Sequence, residues 1–450
     1  MGGPLTVFVA GPFAGLPLWA QTLFTIAFLV IVFVLAWTTV LFVSSREALH
    51  DEPKADPAAA DAFLWVFLVP ALNEEVTIAD SVRRLAAVEA SNKAIVVIDD
   101  GSTDGTAGVL TSLDVPELEV LRRIPPDARK GKAAALNAAW RHLDTVLSSG
   151  RWDGWPRERV IVCVVDADGR LDPRAPEHAA GHLADPRVGG LQVRVRIYNR
   201  QRFLTWCQDV EFAIYGLLFQ AGRTPWGTAG MGGNGQFNRL TALDSVADAK
   251  SGGPWRDKLT EDQDLGLRLI AAGWRGVAEA ATSVDQQGLP GLRRLLRQRT
   301  RWAQGNLQAM AHIGRMWRSD LSFLVRCDLV AYLLQPVLQA VVGVSFVAAI
   351  VLAILGVANF WGDQDWWVLV VFFILGFGGM TLGCVARGAE NGFWGVVRGV
   401  LLMPVAAAYS WLLWPVLVRA AARQAFGRGT WAKTAREPIE PTVKPPQARA

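Results

Sequence analysis

This sequence is poor in charge and in cysteine, and each shortage excludes something. Charged residues make up only 19% of the 450 positions, against 51% hydrophobic residues, 19 tryptophans and a mean hydropathy of +0.24. A chain this apolar is not intrinsically disordered, and its composition indicates a membrane protein with a large water-facing part. The four cysteines, Cys163, Cys207, Cys327 and Cys384, lie far apart with no CxxC pair. That excludes a disulfide scaffold, argues against a clustered zinc site, and fits reduced thiols in a cytosolic or membrane setting. The net charge of +4 is mild and gives no reason to expect nucleic acid as a partner. No internal repeat is evident.

What the chain does have is long apolar segments at both ends. Leu18–Val43 is uncharged and, at about 1.5 Å per residue, long enough to span a bilayer. No Lys or Arg precedes it, whereas Arg46 and Lys54 follow, so the positive-inside rule predicts an outside N-terminus and a cytoplasmic continuation. The missing positive charge also argues against a cleaved signal peptide. Leu338–Val357 and Trp366–Val385 are each long enough to span, and the acidic loop between them is expected outside. Gly399–Val418 is a third candidate, interrupted by Pro404 and Pro415, and a basic tail follows that reads as cytoplasmic. Three spans after a cytoplasmic domain would leave that tail outside. One segment, with the Pro-containing third as first choice, is therefore expected to be re-entrant or interfacial. The expected division is residues 1–50 (a transmembrane helix), 51–320 (a cytoplasmic domain), 321–425 (transmembrane and interfacial helices) and 426–450 (a basic, Pro-rich tail).

Between the apolar ends the texture changes. Beyond the polar linker Asp51–Asp61, the short apolar runs Phe63–Pro70, Ala94–Asp100 and Val160–Asp168 alternate with helical stretches. This is the pattern of βαβ units with a buried parallel sheet. Ligands of such sheets lie at the carboxyl ends of the strands, which here read PALNEE, DDGSTDGT and DADG.

Three segments can carry chemistry. Asp166 and Asp168 follow a strand and offer two carboxylates to a hard divalent cation that bridges phosphates; a solvated loop is the alternative. Thr260-Glu261-Asp262 opens an amphipathic helix, where Thr260 or Glu261 caps the helix or Asp262 serves as a general base. Leu292–Asn306 alternates Leu with Arg at helical spacing, which suits anionic lipid headgroups, and its Gln298, Arg301 and Trp302 add donors for a diphosphate and a flat face for a sugar ring. His178 and His182 share the i, i+4 spacing of a zinc pair but have no third ligand nearby in sequence, so they read as surface histidines.

Taken in order, PALNEE, VIDDGSTDGT, KGKAAALN, DAD, GMGGNGQFNR, TED and QRTRW resemble the membrane-embedded glycosyltransferases of family 2, which include cellulose, chitin, hyaluronan and poly-N-acetylglucosamine synthases. The resemblance runs from about Phe63 to Asn306 and implies an α/β GT-A-type nucleotide-sugar-binding domain plus transmembrane and interfacial α-helices. It implies that Ala71, Asn73, Glu75 and Asp100 hold the nucleoside, that Lys132 sits near the base or phosphates, and that Asp168 with Asp166 binds the diphosphate through Mg²⁺ or Mn²⁺. Asp262 becomes the base with Glu261 beside it. Gln298, Arg301 and Trp302 form a QxxRW motif gripping the diphosphate and bordering the acceptor, and Gly233 and Asn234 line the acceptor pocket. Trp431, Lys433 and Arg436 loosely match a gating segment, with an amphipathic cytoplasmic tail as the alternative. The implied activity is inverting transfer from a nucleotide-sugar, expected to be a UDP-sugar, to a growing β-linked polysaccharide, with coupled translocation. Transfer of one sugar to a lipid and a catalytically silent membrane scaffold are the alternatives. The expected setting is the cell membrane, multi-pass, among membrane lipids, with the catalytic domain cytoplasmic.

Overall fold

The computed structural model describes residues 13, 15–148, 152–357 and 366–427. The proposed gating residues Trp431, Lys433 and Arg436 lie outside the described residues. Eight strands form one sheet: β1 (Leu64–Ala71), β2 (Lys93–Asp99), β3 (Leu118–Arg122), β4 (Val160–Val164), β5 (Arg170–Leu171), β6 (Val188–Ile197), β7 (Gln236–Arg239) and β8 (Arg275–Gln286). Their spatial order is β3-β2-β1-β4-β7-β6-β8-β5.

The three apolar runs read from the sequence are the central strands β1, β2 and β4, all parallel to one another. Each is buried along nearly its whole length, which is why these strands read as continuous rather than alternating apolar runs. The period of two survives in the packing. Trp65, Phe67 and Val69 of β1 face the helix Ile78–Ala86, whereas Leu64, Val66 and Leu68 face the helix Lys132–Leu147. Truncating one of these aromatics, as in Phe67→Ala, should cost about 3–5 kcal/mol.

The sheet is mixed rather than wholly parallel. β7 runs antiparallel between β4 and β6. The chain reverses into β7 through the Gly-rich segment 227–235, in which Gly227, Gly233 and Gly235 take positive φ. Its four residues, Gln-Phe-Asn-Arg, carry one apolar side chain and hence no periodic signal.

Among the described residues, four long helices flank this domain: Leu18–His50, Phe323–Ile354, Trp366–Ala389 and Gly392–Ala425. The first, second and fourth are long and apolar enough to cross a membrane. The break expected at Pro404 and Pro415 does not occur, because both prolines lie inside one continuous 34-residue helix. Neighbouring groups can absorb the lost backbone bonds of such prolines. This helix packs Val405, Tyr409 and Leu413 on Cys207, Leu289 and Leu295 of the sheet domain, and its Gln424 meets Gln304. A buried ion pair joins domain and helices: Arg223 donates to Asp328 at 2.7 and 2.9 Å, and Trp37 Nε1 donates to the same carboxylate at 2.8 Å.

Candidate active site

The parallel register brings the ends of β1, β2 and β4 side by side, pairing Ala71 with Asp99 and Leu68 with Val164. The first two loops are laced together. Asn73, at φ 54°, accepts the Thr103 N–H at 2.8 Å on its side-chain oxygen, and Glu75 accepts the Gly105 N–H at 2.7 Å. Asp100 continues the ladder, donating its N–H to the Ala71 carbonyl at 2.9 Å. Its carboxylate accepts from the Arg123 guanidinium and, at 3.0 Å, from the Arg129 N–H. Burial raises the Asp100 carboxyl above its ordinary range, and these donors work against the rise. Asn73, Glu75 and Asp100 thus sit where the sequence places them, as parts of one braced loop pair. Arg123 is the member that motif reading missed.

Lys132 opens the helix Lys132–Leu147, just after Gly131 at φ 97°. Its Nζ lies 2.6 Å from Asp166 Oδ1 and 3.6 Å from Glu261 Oε1. Burial alone would lower this ammonium, but the facing Asp166 and Glu261 carboxylates outweigh it and raise it above the ordinary lysine range. Asp166 is also fixed by its own N–H, which donates to Asn234 Oδ1 at 3.1 Å. Asp168 is buried, and its Oδ2 accepts the Gln287 N–H at 3.3 Å.

The Gly-rich segment closes the cluster. A Cβ added at Gly233 would lie 2.8 Å from Asp262 Oδ2, so the absence of a side chain is what lets the backbone approach that carboxylate. Asp262 Oδ1 accepts the Gln263 N–H at 2.8 Å. Burial, then the neighbouring Glu261 charge, push the Asp262 carboxyl up to about 7 against the pull of Lys132. Two residues on, Asp264 shows the opposite behaviour. Although burial would raise it, hydrogen bonds from His312 and Arg268 hold it down to about 2. Two carboxylates of one helical turn are thereby driven apart, one poised to exchange a proton near neutrality and one a fixed structural charge. The capping expected of Thr260 is not made by its side chain, which instead donates to Gln263 Oε1 at 3.1 Å.

Gln298, Arg301 and Trp302 lie on the helix Leu292–Ala309, whose later turns meet the acidic segment. A Cβ at Gly305 would lie 2.5 Å from Thr260, and the Leu259 N–H donates to Gln308 Oε1 at 3.4 Å. Gln298 accepts from Arg299 at 3.0 Å, and Trp302 stands edge-on to Phe212 at 6.0 Å with Arg299 4.1 Å from its ring centre. Arg299, bonded to Glu211 at 2.7 Å, is a second residue that motif reading passed over. Lys132, Asp166, Glu261, Asp262, Gly233 and Asn234 are brought together directly, while Gln298, Arg301 and Trp302 lie on the helix that reaches the acidic segment through Gly305 and Gln308.

Residues 66–245 match the model of glycosyl transferase family 2, and residues 161–382 match that of glycosyl transferase family group 2. The chain is 31% identical over 278 residues to a β-monoglucosyldiacylglycerol synthase of Synechocystis, covering 60% of this chain and 54% of that protein. It is 26% identical over 275 residues to a poly-β-1,6-N-acetyl-D-glucosamine synthase of Staphylococcus aureus, covering 60% and 62%. The match thus spans little more than half the length of the curated relatives. Among solved structures, the mannosyltransferase PcManGT of Pyrobaculum calidifontis, in complex with GDP-Man and Mn²⁺, superposes with a TM-score of 0.56 at 18% identity over 90% of this chain and 99% of that one, which bears on the fold alone. The two family models together cover residues 66–382, so the chain belongs to glycosyltransferase family 2, and its fold is GT-A-like.

Proposed function

We propose that this enzyme transfers a sugar, with inversion, from a nucleotide-sugar of the UDP class to a hydroxyl of a membrane-held acceptor. The observation that carries the reading is Asp262, a carboxylate pushed up to about 7 and set against Gly233 beside the Lys132–Asp166 pair. Asp262 takes the proton of the acceptor hydroxyl, whose oxygen attacks the anomeric carbon while the bond to the diphosphate breaks. An α-linked donor then gives a β-linked product. Lys132 and Arg301 offer positive charge to the departing diphosphate.

Asp166 and Asp168 present oxygen donors only, the chemistry that suits Mg²⁺ or Mn²⁺, and both carboxylates are held in place, by Lys132 and by the Gln287 N–H. Such a cation would neutralise charge on the leaving diphosphate.

A lipid hydroxyl is the favoured acceptor, supported by the higher identity to relatives named as monoglucosyldiacylglycerol synthases than to those named as poly-N-acetylglucosamine synthases. A growing polysaccharide is the second reading, supported by the QxxRW motif of Gln298, Arg301 and Trp302. Incubation with labelled UDP-sugars and membrane lipids separates them: a single glycolipid supports the first and a polymer the second.

The membrane arrangement follows the same reasoning. Ala20 and Phe24 of the first helix pack on Leu352 of the second, so these two run antiparallel away from the domain. The third helix ends against the domain, where Arg387 donates to Asp209 at 3.2 Å and the following turn pairs Glu390 with Arg194 at 3.1 Å. With the fourth helix lying along Leu292–Ala309 at the interface, the tail stays cytoplasmic. A reporter fused after Ala450 tests this, an outside signal being the contrary result.

A further inference from the structure

A second cluster of metal-ligating side chains lies away from the donor site, where the first membrane helix joins the domain. Its members come from three segments. His178 and His182 lie one turn apart on the helix Ala175–Leu183, Glu279 lies on β8, and Glu52 lies two residues beyond the helix Leu18–His50. His182 Nε2 is 3.1 Å from Glu279 Oε2, and His178 Nδ1 is 3.9 Å from Glu279 Oε1. One ligand atom each of Glu52, His182 and Glu279 fall within 4.8 Å of one another. The Glu279 side chain is fully buried, and His178 and His182 are 17% and 10% exposed, so the surface-histidine reading of the sequence is corrected.

A bulge in β8 builds the spot. Val193 of β6 pairs with Glu279, but the next residue, Arg194, pairs with Ser283, which throws out residues 280–282. Their backbone donors hold the carboxylates: the Ala280 N–H reaches Glu52 at 2.5 Å, and the Ala281 and Thr282 N–H groups reach Glu279 Oε1 at 2.6 and 3.3 Å. The Glu279 oxygen left over faces His182. Among the described residues, no Lys or Arg forms an ion pair with Glu52 or Glu279, and His178 Nδ1, a buried atom, makes no hydrogen bond. Two carboxylates and two imidazoles that meet with no lysine or arginine among them offer four donor atoms to a metal ion.

We infer that Glu52, His178, His182 and Glu279 form a structural site for a zinc-class divalent cation. Two nitrogen and two oxygen donors suit Zn²⁺, whereas Mg²⁺ prefers an all-oxygen shell. Ligand atoms on a tetrahedral ion at about 2.0–2.1 Å stand about 3.3 Å apart, so the Glu52, His182 and Glu279 atoms, within 4.8 Å of one another, close by movements of up to about 1.5 Å, and His178 Nδ1 starts 3.9 Å from Glu279 Oε1. The ion fastens the linker that leaves the first membrane helix to the sheet. The linker already lies on the histidine helix: the Asp56 N–H donates to the Glu177 carbonyl at 3.2 Å, and Pro53 packs against Gly181. Glu279 stands four β6 positions, on the order of 13 Å, back from Gln286, whose neighbour Gln287 holds Asp168. The site is therefore separate from the Asp166–Asp168 pair and fixes how the catalytic sheet is seated on its membrane helix.

The test uses the full chain, purified, stripped with chelator and titrated with Zn²⁺ alone, with metal analysis after removal of free ion. One Zn²⁺ per chain should be retained by wild type and by Asp168→Asn, and binding should weaken at least about tenfold in His182→Gln and in His178→Ala. Co²⁺ in its place should give the strong visible absorption of a four-coordinate N/O site, which an octahedral all-oxygen site lacks. Wild-type protein that retains no Zn²⁺ overturns the inference, as does Zn²⁺ that is lost with Asp168→Asn yet kept in His182→Gln. Should a histidine variant fail to fold, wild-type and Asp168→Asn retention with the Co²⁺ spectrum decide the question.

Discussion

Lys132 Nζ lies 2.6 Å from Asp166 Oδ1 and 3.6 Å from Glu261 Oε1, one cation at the meeting point of a strand end and a helix start. It offsets carboxylates that would otherwise repel one another and the donor diphosphate. Lys132→Gln should therefore lower kcat/KM by about 10²-fold, mainly through KM for the nucleotide-sugar. Steady-state kinetics across donor concentrations checks this, and an unchanged KM would assign Lys132 a purely structural part.

The elevated Asp262 carboxyl makes a directional claim about pH. A general base works only when deprotonated, so kcat/KM should rise with pH along a limb centred near 7 and level off above it. Lys132 opposes that elevation, so in Lys132→Gln the limb should move to higher pH. A limb near 4 would mean that Asp262 titrates as an ordinary aspartate.

Gly233 meets Asp262 too closely for any side chain, and its φ of +80° is costly for an L-residue. Gly233→Ala should displace the carboxylate and cost more than about 1 kcal/mol of stability. The loss of kcat should exceed the modest fall in thermal midpoint, at least tenfold against a few degrees. Turnover and thermal unfolding of the same preparation provide the comparison.

The fold and the site differ in how far the sequence reveals them. The parallel core was readable because β1, β2 and β4 are continuous apolar runs ending in polar loops, and the acidic motifs were readable because they stand at those ends. β7 was not, since one apolar residue in four gives no period, and the chain enters it through Gly227, Gly233 and Gly235 at positive φ. Arg123 and Arg299 escaped notice because each stands among other arginines with nothing local to single it out, and each owes its place to a partner distant in sequence, Asp100 and Glu211. Pro404 and Pro415 misled the reading because a packed helix can absorb the bonds they remove. The surroundings of His178 and His182 lie in residues about 100 or more positions away, beyond any local motif.

The Arg223–Asp328 pair seats the second long helix on the domain, with both side chains almost fully buried. Asp328→Ala would leave an uncompensated buried guanidinium and should cost about 3–5 kcal/mol, while Arg223→Met combined with Asp328→Leu should cost far less. Detergent-solubilised thermal unfolding of the single and double variants reads this out, and equal losses would contradict it.

The most direct test of the account separates chemistry from binding at Asp262. Asp262→Asn keeps the size of the side chain and an oxygen able to accept the Gln263 N–H, so the helix start should survive with well under ~1 kcal/mol lost. What it removes is the proton acceptor, a loss of about 10²–10⁴ in rate. Calorimetric binding of the nucleotide-sugar with Mn²⁺ should be nearly unchanged in this variant and weakened in Asp168→Asn, with sugar transfer measured on the same samples. Near wild-type transfer by Asp262→Asn, or donor binding lost as severely as in Asp168→Asn, would contradict the assignment of Asp262 as the base.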